Sequence, residues 1–171
     1  IIESNGDCTD LDFTFVGFTF AAAHSHPTAG QGCDPFGMFS GGDILQLANM
    51  SSTFDGLGRQ FFNTYTFILT YNGTAFAIKY GSEEAVDALE SLKNNNESIN
   101  YFRKAFEDEF QSLADLPGES ASLQELKEKL FLILDDYGLD IDLYEAENDS
   151  QGFVESWSKV NKDDLLKEPC Y

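Results

Sequence analysis

Cysteine is scarce in this chain, with three in 171 residues, and basic side chains are few, with 10 Lys and Arg against 30 Asp and Glu. The resulting net charge of −20 argues against nucleic acid or an anionic membrane as a primary partner, because both call for a basic surface. No apolar run approaches the ~20 residues that a membrane-spanning helix needs. The three cysteines, Cys8, Cys33 and Cys170, lack the close spacing of zinc or thioredoxin-like sites. No G-x-S-x-G elbow, G-x-x-x-x-G-K loop or G-x-G-x-x-G turn occurs, which removes the familiar signals for an activated serine and for a phosphate cradle. Gly30, Gly32, Gly37, Gly41 and Gly42 crowd one stretch, but no lysine accompanies them.

What is present describes a folded domain. Hydrophobic residues make up 42% of the chain and aromatics 14%, well above what a disordered segment carries. The length suits one domain over residues 1–171 with a sizeable core. Charge is lopsided: residues 1–82 hold 7 acids and 2 bases, residues 83–171 hold 23 and 8. An aromatic, threonine-rich half thus precedes a charged helical half with no linker between them. This pattern reads as an α+β fold, an antiparallel aromatic-rich sheet packed by amphipathic helices.

Strands are expected near residues 11–20, 60–71 and 74–80, with further strands over 139–147 and 153–160. The first contains a phase switch at Gly17 that suggests a bulge. Asn72-Gly73 between two alternating segments is a strong hairpin signal, with a type I′ turn. Asp43–Met50 has the character of a short helix. Longer helices are expected over 83–93 with Ser82 as cap, over 97–116 stopped by Pro117-Gly118, and over 122–137. The last opens on the capping box Ser122-Leu123-Gln124-Glu125 and closes at Gly138. Asp163 and Asp164 are placed to start a last helical turn before Pro169.

Four Asn-x-Ser/Thr triplets begin at Asn49, Asn72, Asn96 and Asn148, where chance gives about one or two. The chain also opens Ile1-Ile2-Glu3, as a chain trimmed of a leader would. Together these lead to the expectation of a secreted, extracellular or cell-surface glycoprotein. In such a compartment one disulfide is expected, Cys8–Cys33, with Cys170 the odd thiol.

Chemistry-bearing clusters are sparse. His24-Ser25-His26 is the one histidine pair, and on a strand both imidazoles face one side, where they could hold a metal. Cupins use such a pair beside a carboxylate, but here the glycine spacing differs and the next acid is Asp34, so a cupin motif is not formed. Asp135, Asp136, Asp140, Asp142, Glu145, Glu147 and Asp149 crowd one segment without the EF-hand pattern. Calcium is the cation this cluster would suit, with Asp140 and Asp142 as ligands. Neither cluster dictates a reaction, and paired carboxylates suited to sugar hydrolysis cannot be singled out among 30 acids.

The expectation is therefore a non-catalytic extracellular structural or assembly subunit with no required cofactor. It would act by contact with itself or another extracellular protein and polymerise through its N-terminal strand. A secreted binding protein for a small apolar or carbohydrate ligand, held between sheet and helices, is the alternative, and an enzyme comes third.

Overall fold

Asn72 and Gly73 both take positive φ, 48° and 81°, which is the signature of the type I′ turn that matches the twist of two antiparallel strands. They join β2, Thr66–Tyr71, to β3, Thr74–Tyr80. This hairpin supplies the second and third strands of a six-stranded sheet in the order β1-β2-β3-β4-β5-β6. β1 is Ala21–Ser25, β4 Ile141–Asn148, β5 Val154–Val160 and β6 Lys167–Pro169. β1 pairs parallel with β2, and every other pairing is antiparallel. The fold is α+β, as its composition implies. The protein is described by a computed structural model over residue 15 and residues 19–26, 37–53, 58–114 and 121–170.

Four helices, α1 Gly41–Ser51, α2 Glu83–Lys93, α3 Asn96–Ala114 and α4 Leu123–Asp136, accompany the sheet. Strand register shows why one face is covered. Phe67 and Leu69 of β2 lie beside Ile78 and Phe76 of β3, and Ile78 lies beside Leu143 of β4, which meets Val160 of β5. These side chains point to one face, and all are buried in one cluster with Ile44, Leu47, Leu89, Phe106 and Leu130 from the helices. On α3, Phe102, Phe106 and Phe110 recur at a spacing of four and pack edge to face at 5.1 and 5.7 Å between ring centres, so the apolar stripe of the helix is an aromatic ladder.

Helix ends follow local chemistry. Ser122 and Glu125 form the expected capping box on α4. At its far end Gly138, at φ 63°, donates to the Asp135 carbonyl and Leu139 donates to that of Leu134, the paired bonds of a Schellman motif. Ser82 stands at the cap position of α2, but its side chain makes no capping hydrogen bond. α1 begins at a second capping box, Ser40 with Asp43.

Three boundaries differ from expectation. The strand expected over 60–71 begins at Thr66, because Gly58–Thr64 coils into a kinked 3₁₀ segment. There the Thr64 hydroxyl donates to the Phe61 carbonyl at 2.6 Å, a local bond that competes with a ladder. Most of the strand expected over 11–20, including the bulge at Gly17, lies outside the described residues; Phe15, Thr19 and Phe20 are described and are not in a strand. The first strand among the described residues is Ala21–Ser25, which pairs along β2. The residues after Val160 make a turn at 162–164 and then β6 rather than a last helical turn. Cys8 and Cys33 lie outside the described residues, and Cys170 is an exposed free thiol. Among the described residues no helix is long and apolar enough to cross a membrane.

Candidate metal centre

β1 carries His24 level with Leu69 of β2, so its imidazole turns toward the helix-covered face and packs on the Phe67 ring at 5.1 Å. His26, two residues on, points the same way, and the two imidazoles meet edge to face at 4.8 Å. Opposite them stands Asp43 of α1. His24 Nε2 lies 3.1 Å from Asp43 Oδ1 and His26 Nε2 lies 3.4 Å from Asp43 Oδ2. The side chains of His24, Asp43 and His26 are 6%, 13% and 16% exposed, so the cluster is nearly closed to water.

Asp43 is held from behind. Its Oδ2 accepts from the Ser40 backbone N–H at 2.7 Å and the Ser40 hydroxyl at 2.9 Å, which fixes the carboxylate over the first turn of α1. Burial alone would push its pKa up. Hydrogen bonds from His24 and His26 and their charge outweigh burial and hold the carboxyl well below the usual carboxylate range. The first turn of α1 favours the anion further. The result is an ionised carboxylate flanked by two imidazoles, the set of donors that suits a borderline metal ion.

Of the residues singled out from sequence, His24 and His26 thus come together, and Asp43 completes the group. Asp43 was readable only as a helix residue. The signal that points to it is Ser40-Gly41-Gly42-Asp43, an S-x-x-D capping pattern that turns the carboxylate back over the helix start. Among the described residues this trio is the one grouping of at least three His, Cys, Asp or Glu donors close enough to share an ion. Asp142 instead faces Lys159 at 2.8 Å and accepts from the Tyr144 hydroxyl at 3.4 Å. Asp140 is exposed ahead of β4, with its carboxylate against Gly81.

The acceptor asparagines separate by environment. Asn72 is exposed at the hairpin tip, and Asn96 is exposed at the start of α3. Asn148 donates its amide to the Gly73 carbonyl at 2.7 Å. Asn49 lies inside α1 with its amide on Gln46 at 2.9 Å, and Ser51 of its triplet is buried against the Tyr80 hydroxyl and Glu90. Core side chains of the sheet and the helices pack together in one buried cluster. A shallow cleft of about 240 Å³ lies elsewhere, between the end of α4 and the start of β4, lined by Phe131, Asp135, Asp140 and Lys162 among others. Comparisons with protein-family models, curated proteins and solved structures find no match.

Proposed function

We propose that this chain is a non-catalytic domain of the extracellular space or cell surface that works by protein–protein contact. The outer edge of β1 accepts a strand from a second copy or from another extracellular protein. The observation that carries this reading is the unequal treatment of the two sheet edges. β6 is three residues long and consists of Lys167, Glu168 and Pro169, all features that discourage strand addition. β1 has none of them: it is Ala-Ala-Ala-His-Ser, with Ala21, Ala23 and Ser25 exposed.

Backbone parity supports the same surface. Thr66 donates to the Phe20 carbonyl at 2.8 Å and His26 donates to Thr70 at 3.0 Å, so even-numbered residues of β1 bond inward to β2. Ala21, Ala23 and Ser25 therefore turn their N–H and C=O groups outward. Among the described residues nothing pairs with that edge. An extended partner docking there would gain ladder hydrogen bonds at once. The acceptor triplets and acidic charge support the extracellular assignment.

Ala23→Pro is the direct test. Its outward N–H takes no part in the β1–β2 ladder, so the substitution spares the fold as edge prolines do, yet it blocks a docking strand. Concentration-dependent light scattering of the natural protein is expected to show association that Ala23→Pro abolishes. A strict monomer at every concentration, with no extracellular binding partner recovered at this edge by cross-linking, overturns the reading.

A further inference from the structure

We infer that His24, His26 and Asp43 form a binding site for a divalent first-row transition ion, zinc above all, which clamps the edge strand β1 to the start of α1. The geometry is that of donors already gathered. Zinc bonds of 2.0–2.1 Å to nitrogen and oxygen place tetrahedral donors about 3.3 Å apart. His24 Nε2 lies 3.1 Å from Asp43 Oδ1, and one donor atom from each of His24, His26 and Asp43 lies within 4.8 Å of the other two. Asp43 Oδ1 is the oxygen that faces His24, while Oδ2 is committed to the Ser40 cap. The ion's ligands are thus the two Nε2 atoms and Oδ1.

Donor type selects the ion. Imidazole nitrogen suits zinc, copper, nickel and iron, whereas calcium and magnesium prefer shells built of oxygen. The supporting contacts are those that preorganised metal sites use: the Ser40 cap holds the carboxylate, and the Phe67 ring backs His24. Three protein donors leave one tetrahedral position for water or an outside ligand.

A clamp has a structural purpose at this point of the fold. Three of the five residues of β1 are alanine, so the strand contributes little apolar area, and among the described residues it is paired on one side only. His24 and His26 are the side chains that reach from β1 to α1. A shared ion converts that contact into coordinate bonds between the two elements and gives the chain metal-dependent order at β1.

The test uses the full chain stripped with a chelator and titrated with zinc by calorimetry. One ion per chain is expected, with calcium and magnesium failing to compete at a hundredfold excess. Cobalt loading is expected to give the intense visible bands of a four- or five-coordinate ion. His26→Gln and Asp43→Asn should each weaken zinc binding at least tenfold; the asparagine retains an oxygen acceptor for the Ser40 cap. X-ray absorption on the zinc-loaded natural chain needs no variant, and it should show imidazole scattering with nitrogen and oxygen neighbours. No zinc uptake, a sulfur or all-oxygen shell, or undiminished binding by folded variants overturns the inference.

Discussion

Lys127 of α4 and Glu145 of β4 are ion-paired inside the protein, their side chains 9% and 10% exposed. Lys167 at the start of β6 reaches the other Glu145 oxygen at 2.7 Å, and the Phe76 ring lies 6.0 Å from the Lys127 ammonium. One carboxylate thereby ties a helix, a central strand and the last strand together. Taking two charges out of water is costly, and a buried pair contrasts sharply with a pair of apolar residues when one partner is removed. Glu145→Ala is expected to cost about 3 kcal/mol or more, because it leaves Lys127 buried without its carboxylate. Joint replacement, Lys127→Met with Glu145→Leu, should recover most of that loss. Urea denaturation of the three proteins checks both statements, and an alanine variant within about 1 kcal/mol of the natural chain contradicts the first.

Acid should weaken the same tie. Burial would raise the Glu145 pKa, but hydrogen bonds and charge from Lys127 and Lys167 prevail and lower it. A carboxyl depressed in the folded state contributes stability that is complete above its unfolded pKa, about 4.3. That stability is lost as pH falls through the folded value. The difference in unfolding free energy between the natural chain and Glu145→Gln should therefore be constant from pH 7 to about 5 and shrink below about pH 4.

At the hairpin tip, Gly73→Val should destabilise by about 1 kcal/mol or more, since a β-branched residue is strained at positive φ. Nothing lies within 4 Å of a Cβ there, so the cost is conformational rather than a clash at that atom. Chemical denaturation measures it, and a neutral variant would mean that the turn has reformed elsewhere.

Glycan occupancy should follow the asparagine environments. Passage through a eukaryotic secretory pathway is expected to leave glycans on Asn72 and Asn96, both exposed. Asn49 should be bare in the folded product, because its triplet runs through α1 and ends at the buried Ser51. Peptide mapping after enzymatic deglycosylation reads each site. High occupancy at Asn49 in folded protein is the contrary result.

The parts of this fold that were legible share one property: their causes lie within a few residues of each other. The Asn72-Gly73 turn, the Ser122–Glu125 box and the left-handed Gly138 are each set by local sterics and hydrogen bonding. The α3 stripe of Phe102, Phe106 and Phe110 is likewise set by helical period. Reading failed where a local preference had to compete with a partner distant in the chain. The aromatics near Phe61 suit a strand, yet only from Thr66 onward does β1 lie alongside.

The candidate site divides the same way. That His24 and His26 share a face follows from strand geometry alone, since side chains two apart on a strand point together. That Asp43 is their partner depends on where α1 is carried after β1 leaves the sheet. The 16 residues between His26 and Asp43 encode no spacing rule that could announce it. Sequence by itself determined the α+β composition, the hairpin, the Ser122–Glu125 cap and the paired imidazoles, because each is a short-range consequence of side-chain shape and period. The parallel pairing of β1 with β2, the buried Lys127–Glu145 pair and the convergence on Asp43 were decided by tertiary structure, because each depends on which surfaces the packed core brings into contact.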